Sequence, residues 1–581
     1  MWLLKWSLNV FNDHFSVWFT IALGFHKFAT HKMLKMQVIQ GNIVNIFDES
    51  IHFGELILKD GRVFTIKNLG EEKAGESYLL PGFVDAHVHI ESSMLSPAAF
   101  GKIALCHGTI GSVSDPHEIA NVLGIEGVEY MLEDAAQTPF KVAFGAPSCV
   151  PATSFETSGA VIDAEGIRDL LSRPEISYLA EMMNFPGVIY QDEEVMKKLE
   201  IAKELGKPID GHAPGLMGDD AVKYFSQGIS TDHECFTYEE AEEKLKLGVK
   251  VLIREGSAAK NFEALIPLAK DWSHQMMFCS DDKHPDELLR GHINKLVARA
   301  LKSGVGLFQA LRMASLNPVK HYSLPIGLLL EGHEADFIRV QDLEDFQVLE
   351  TYVNGKLVAV NGQSLLHETT SKVINNFEAE NINPEDLKVL EDGSGHKMNV
   401  IKVNDGQLIT DALSLSPKLE GNEVVSDIAY DVLKMVVYNR YQKSEPAIAF
   451  IHGFGLRNGA IASSVAHDSH NIIAVGVDDR AISEAINLVI RERGGISAVS
   501  EEKMGVLGLP IAGLMSDKSV EEVALDYEQI DQFSKEQLGA TLSAPFMSLS
   551  FMALLVIPSL KLSDKGLFDG GKFKFKDLFE A

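Results

Sequence analysis

Between residues 81 and 282 the chain alternates short apolar runs with amphipathic stretches of helical period. The apolar runs end near Ile90, Asp115, Val150, Asn184, His212, His233, Glu255 and Asp282, which makes eight strand candidates. The stretches between them read as helices. Residues 192–205 open on Asp192, continue with Glu193 and Glu194, place Val195, Leu199 and Ala202 on one face, and stop at Gly206. Thr237-Tyr238-Glu239-Glu240 has the spacing of a capping box at the start of another helix. Strand–helix alternation implies a parallel sheet with helical crossovers. Eight such units closed on themselves make a barrel whose site lies at the C-terminal strand ends.

The pattern changes on both sides of this span. Residues 34–80 and 326–363 carry short apolar runs separated by turn signals, Asp60-Gly61 in the first and Asn354-Gly355 in the second. The expectation is a composite β-sandwich beside a barrel formed by residues 81–325. Residues 364–396 are polar and acidic and read as a linker. From residue 397 a third, α+β unit begins. Asp405-Gly406 marks a hairpin, and Ala481, Ile482, Ala485, Ile486, Val489 and Ile490 form a helical apolar face. A chain of 581 residues exceeds what one core supports, in line with several domains. The predicted class is therefore α/β: a (β/α)8 barrel with a flanking β-sandwich and an additional α+β domain.

The first 33 residues stand apart. They hold Trp2, Trp6 and Trp18, and their apolar stretches, interrupted by Asn12-Asp13-His14, are too short to span a bilayer. They read as an atypical extension ahead of a fold that starts near Met33 or Met36. A net charge of -30 argues against nucleic-acid phosphate as a partner and fits a solvated acidic surface. Cys106, Cys149, Cys235 and Cys279 form no C-x-x-C pair, which suits a reducing, cytoplasmic compartment better than a disulfide framework. No membrane partner is expected.

The chemistry lies at the strand ends. On a strand, side chains alternate between faces, so His87 and His89 project together from the end of the first. Two imidazoles so placed make a ready pair of metal ligands. Glu181 ends the fourth strand candidate, His212 the fifth, His233 the sixth, and Asp281 the eighth, with Asp282 directly behind it. Asp282 has the alternative role of a helix cap before Pro285. His117, in Asp115-Pro116-His117-Glu118, suits a substrate contact and a capped helix start equally well. Arg254, at the end of strand seven, suits the substrate or an ion pair with a neighbouring carboxylate. His467-Asp468-Ser469-His470 lies between two apolar runs and reads as a polar hairpin turn rather than a second metal site. The loop His452-Gly453-Phe454-Gly455 is a candidate to approach the barrel mouth.

Residues 81–93 (PGFVDAHVHIESS), 114–124 (SDPHEIANVLG), 210–216 (DGHAPGL), 231–234 (TDHE), 253–260 (IREGSAAK), 280–285 (SDDKHP) and 462–471 (ASSVAHDSHN) resemble the bacterial adenine deaminases of the amidohydrolase superfamily. The resemblance implies a distorted (β/α)8 barrel, a flanking β-sandwich and an extra C-terminal domain. It implies two divalent metal ions, manganese or iron, hydrolysis of adenine to hypoxanthine and ammonia with adenine and water as substrates, and a homo-oligomer, a dimer. Carried over residue by residue, the ligands are His87, His89, Glu181, His212, His233 and Asp281. One cation is expected on His87, His89 and Asp281, the other on His212 and His233, with Glu181 between them. Such a pair lowers the pKa of a bound water to about 7 or below. Asp281 is the expected proton acceptor, with Asp282, Glu91 and Glu234 as alternative shuttles. Strand four ends in a glutamate and not a lysine, which favours this reading over a dihydroorotase-like one. The competing readings are a metal-dependent hydrolase of a cyclic amide or another aminopurine, and a non-catalytic barrel used in assembly.

Overall fold

A computed structural model describes residues 36–391 and 397–580. The N-terminal extension read at residues 1–33 lies outside the described residues. All eight strand candidates of the barrel are present: β5 (Phe83–Val88), β6 (Thr109–Ser114), β7 (Lys141–Ala146), β8 (Ile176–Met182), β9 (Ile209–Gly211), β10 (Thr231–Asp232), β11 (Lys250–Arg254) and β12 (Met276–Cys279). They pair in parallel as a five-stranded sheet, β5 to β9, and a three-stranded sheet, β10 to β12.

The two sheets meet along narrow seams. At one, the Ser230 N–H donates to the Ile209 carbonyl at 2.9 Å. At the other, the Asp281 N–H donates to the His87 carbonyl at 3.0 Å and the His89 N–H to the Asp281 carbonyl at 3.3 Å. The barrel is thus distorted and not fully closed: its two sheets are joined at these seams by a few hydrogen bonds. Its helices start as the sequence indicates. Asp192 accepts from the Glu194 and Val195 amides at the head of Glu193–Glu204, and Thr237 accepts from the Glu240 amide at the head of Tyr238–Lys246.

The flanking segments join in one eight-stranded sheet. β1 (Gln37–Asn45), β2 (Ser50–Lys59), β3 (Arg62–Glu71) and β4 (Tyr78–Pro81) precede the barrel; β13 (Phe337–Val340), β14 (Val348–Val353), β15 (Lys356–Val360) and β16 (Gln363–Ser364) follow it. The order is β16-β15-β14-β13-β4-β1-β2-β3, with β4 pairing β13 across more than 250 residues of chain. Asp60 and Gly61 turn β2 into β3 with φ of 53° and 80°, the left-handed pair that a tight hairpin requires.

The C-terminal region builds a second eight-stranded sheet from β17 (Met398–Lys402), β18 (Asp411–Leu415), β21 (Val432–Tyr438), β22 (Ala447–His452), β23 (Ala460–Ser463), β24 (Ile472–Gly476), β25 (Gly495–Val499) and β26 (Met504–Gly508). A separate ribbon pairs β19 (Lys418–Glu420) with β20 (Glu423–Val425). The helix Asp479–Arg491 buries Ala481, Ile482, Ala485, Ile486 and Val489, while Ile490 is half-buried. The acidic stretch before this region is more than a tether, because Phe377, Ile382 and Leu387 are buried in the same cluster as that helix face. A single apolar core runs from barrel residues such as Phe83 and Phe278 into Leu433, Ile451, Ile461 and Phe551. The C-terminal region is therefore fused to the barrel by hydrophobic burial. Among the described residues no helix is long and apolar enough to cross a membrane, and all four cysteines are free and buried.

Candidate active site

The strand ends bring His87, His89, Glu181, His212, His233 and Asp281 into one buried cluster. Glu181 is its centre. Its Oε2 lies 3.0 Å from His212 Nδ1 and 3.1 Å from His233 Nε2, while its Oε1 faces His89 Nε2 at 3.5 Å. Asp281 Oδ1 lies 3.2 Å from His89 Nε2 and 3.5 Å from His87 Nε2. Asp281 adopts φ of 52°, a conformation held by the two backbone hydrogen bonds that seam β12 to β5.

The donor set fits divalent metal. The His87 and His89 Nε2 atoms stand 3.1 Å apart, a separation given either by an N–H···N hydrogen bond between the rings or by adjacent ligation of one cation. His87 Nδ1 and His212 Nε2 are buried without a hydrogen-bond partner. Burial works to raise the Glu181 carboxyl, but the His212 and His233 imidazoles outweigh it and hold the group well below the ordinary carboxylate range. A carboxylate that stays ionised, with Oε1 toward His89 and Oε2 toward His212, His233 and, at 3.9 Å, His87, can span two cations. The nitrogen and oxygen donors, without cysteine, suit manganese, iron or zinc.

Around this centre the structure sorts the remaining candidates. Arg254 is buried, and its guanidinium is taken up by carboxylates: Nη1 bonds Glu234 and reaches Asp281 Oδ2 at 2.6 Å, and Nη2 reaches Glu234 Oε2 at 3.1 Å. It makes the ion pair rather than facing a substrate. Burial would raise Glu234, but Arg254, His212 and His233 outweigh it and hold Glu234 at about 2, so it stays ionised across the neutral range. Asp282 does not cap the helix Pro285–Arg290, whose N-cap His284 makes no side-chain cap hydrogen bond. Asp282 lines the pocket instead, with Ser92 Oγ 2.6 Å away; the same hydroxyl is 2.9 Å from Glu118 Oε1. Glu91 is fully buried and accepts from the Ile119 amide at 3.2 Å; burial lifts it to about 7.

His117 combines a helix start with a place in the cluster. It opens the helix His117–Leu123, with its amide donating to Asp115 Oδ1 at 3.1 Å. Its ring enters the cluster, Nδ1 lying 3.2 Å from Asp115 Oδ2 and 3.5 Å from Glu181 Oε1.

The C-terminal region completes the pocket through residues that sequence reasoning places elsewhere. Residues 467–470 do lie in the connection between antiparallel β23 and β24, but they are buried rather than turned to solvent. His467 and Asp468 line the pocket with Leu408, Phe551 and Leu554, and the His467 ring stacks on Phe551 with centroids 5.3 Å apart. The loop after His452 packs on its own domain instead, its Gly453 and Gly455 amides donating to Asp431. Glu118 carried a signal, since it sits in a quoted motif beside His117. Leu408, Phe551 and Leu554 carried none that separates them from ordinary core residues.

A family model described as the amidohydrolase family matches residues 78–358, and one described as the adenine deaminase C-terminal domain matches residues 407–574. The chain is 54% identical over 539 residues to an adenine deaminase from Sulfurovum sp. (strain NBC37-1), covering 93% of this chain and 99% of that protein. The chain belongs to the adenine deaminase family. Other members of that family are nearly as similar: adenine deaminases of Salinibacter ruber, at 51% over 542 residues, and of Methanosarcina barkeri, at 50% over 551 residues, cover 93% and 94% of this chain and 98% and 100% of their own lengths. The family's two matched segments hold, between them, every residue that lines the pocket described above.

Proposed function

We propose that this chain hydrolyses adenine to hypoxanthine and ammonia, and that the six residues around Glu181 hold two divalent cations, manganese or iron. The observation that carries the metal reading is the division of the two Glu181 oxygens, one toward His212 and His233 and the other toward His89. The reaction itself is supported by the names of relatives at about half identity over almost their whole lengths.

On this reading His87, His89 and Asp281 hold one cation, His212 and His233 the other, and Glu181 lies between them. When bound, the pair supplies an activated water at neutral pH. Arg254 fixes Asp281 through Oδ2 and leaves Oδ1 turned to the histidines, so Oδ1 is the Asp281 atom that would hold a cation or accept a proton. Asp282, Ser92 and Glu118 form a hydrogen-bonded path leading away from the centre, on which a proton can move. Glu234 holds Arg254 and orients. Met183, Leu408, Phe551 and Leu554 offer apolar walls for a flat heterocycle and exclude water from it. The same proposal takes residues 81–325 as the catalytic barrel and residues 397–581 as a domain that closes it, in a cytoplasmic homodimer serving purine salvage.

The test is ammonia release from adenine by purified protein reconstituted with Mn²⁺, with metal content determined on the same sample. Hypoxanthine formation that disappears in His87→Ala together with bound metal is the expected result. Full metal content without adenine turnover would overturn the substrate assignment and favour a cyclic amide or another aminopurine, to be sought among guanine, hydantoin and dihydroorotate.

A further inference from the structure

We propose a further metal site at the edge of the same pocket, on the seam between the barrel and the C-terminal domain, where His117, Glu118, His467 and Asp468 hold one more divalent cation. Two ligands come from each domain, so the ion would fasten the lid to the barrel mouth.

The four residues lie close together. His467 Nδ1 is 3.3 Å from Glu118 Oε1 and 3.9 Å from Asp468 Oδ1, and His117 Nε2 is 3.6 Å from Asp468 Oδ1. One donor each from His117, Glu118 and His467 lie within 4.8 Å of one another. Tetrahedral ligands bonded at about 2.1 Å stand about 3.4 Å apart. The three printed separations, 3.3, 3.6 and 3.9 Å, lie close to that spacing.

The hydrogen bonding points the same way. Both His117 ring nitrogens, Glu118 Oε2, His467 Nε2 and Asp468 Oδ2 are buried with no hydrogen-bond partner. The four residues are each at least 96% buried. His117 Nδ1 lies 3.2 Å from Asp115 Oδ2, and Nε2 lies 3.6 Å from Asp468 Oδ1. A lone pair on Nε2 facing that carboxylate would be repelled unless something positive lay between them.

Charge sharpens the case. Glu91, Glu118, Asp282 and Asp468 are all buried at this seam. Among the described residues none of them is ion-paired to a lysine or arginine; their charged neighbours are histidines. An imidazolium at His117, between Asp115 and Asp468, would settle that one pair. It would leave Glu118 and Asp282 sharing the single proton of the Ser92 hydroxyl. Buried carboxylates in such numbers call for a cation, and two nitrogen with two oxygen donors suit zinc or a similar divalent ion.

Zinc alone is the probe. Metal-stripped full-length protein is reconstituted with Zn²⁺, the ions per chain are counted by mass spectrometry, and crystals are examined for anomalous scattering at the zinc edge. Three ions are expected, two at Glu181 and one between the four seam residues. His467→Ala and the nearly isosteric Asp468→Asn should each lose the seam peak and one ion of the three, with the pair at Glu181 intact. A wild-type protein with no seam peak at saturating zinc would overturn the proposal, as would either variant that keeps that peak. The readout does not involve adenine, so a chain inactive on adenine that shows the seam ion keeps this site and loses only the substrate assignment.

Discussion

Arg254→Met tests whether the barrel centre is held together by charge. The guanidinium is 1% exposed and bonds Glu234 and Asp281, which are 1% and 2% exposed. Methionine keeps part of the stem volume and removes the cation, leaving two buried carboxylates with nothing opposite them. Breaking a buried ion pair in this way costs about 3–5 kcal/mol, and the upper end is expected because two partners are stranded. For a barrel of this size the cost corresponds to a fall in Tm of roughly 6–10 °C. The assay is thermal unfolding of chelator-treated protein, followed by the same measurement after Mn²⁺ loading. Bound cations next to Asp281 would take over part of the lost positive charge, so the loaded variant should be penalised less than the stripped one. Arg254→Met/Glu234→Gln removes one stranded charge and should regain part of the loss. A stripped single variant within about 1 °C of wild type, or a double variant no more stable than the single, would refute the argument from buried charge.

Glu181→Gln keeps the shape of the central residue and removes its charge. It should release bound metal and lower adenine hydrolysis by more than the ~10–100-fold typical of residues that merely support a ligand; metal content with turnover on one sample decides it. Lys561 is fully buried and donates to the Leu408 and Phe551 carbonyls at 2.6 and 2.9 Å, and burial lowers its pKa from 10.5 to about 7. In the unfolded chain this lysine keeps its proton up to about pH 10.5, so between pH 7 and 10.5 the unfolded state binds more protons and stability should rise with pH. The full effect is roughly 5 kcal/mol at 1.36 kcal/mol per pH unit. Lys561→Met should flatten that rise in unfolding measurements across the range; an unchanged slope would count against a neutral buried amine.

The barrel strands and the cluster at their ends were legible because the signals are local. A strand alternates faces with period two, so His87 and His89 announce a shared direction from their spacing alone. The C-terminal strand ends of a barrel converge, so Glu181, His212, His233 and Asp281 meet once the eight strands are counted. Arg254 shows where local reasoning stops. Its place at a strand end was plain, but its partners Glu234 and Asp281 follow the two neighbouring strands, and only the pairing of β10, β11 and β12 sets them against its guanidinium. Asp282 is similar: Asp before a Pro-started helix has a local explanation, and tertiary contact with Ser92 decides against it. His467 to His470 have the composition of an exposed turn, and the backbone does turn there. Their burial follows from the barrel mouth lying above them, which no window of sequence contains.

The lid residues come from three separate segments, around residues 408, 467 and 551, and the structure ties these segments to one another as well as to the barrel. Lys561 bonds the first and third through carbonyls, and His467 of the second stacks on Phe551 of the third. His467 and Asp468 in turn face Glu118 and His117 of the barrel. A change in any one segment therefore reaches the other two before it reaches the ligands around Glu181. The apolar core is continuous across the same boundary, so a barrel cut free of the C-terminal region would expose apolar surface and open its site to water together. The two domains share a core and a pocket, and for that reason the C-terminal region belongs to the active site rather than beside it.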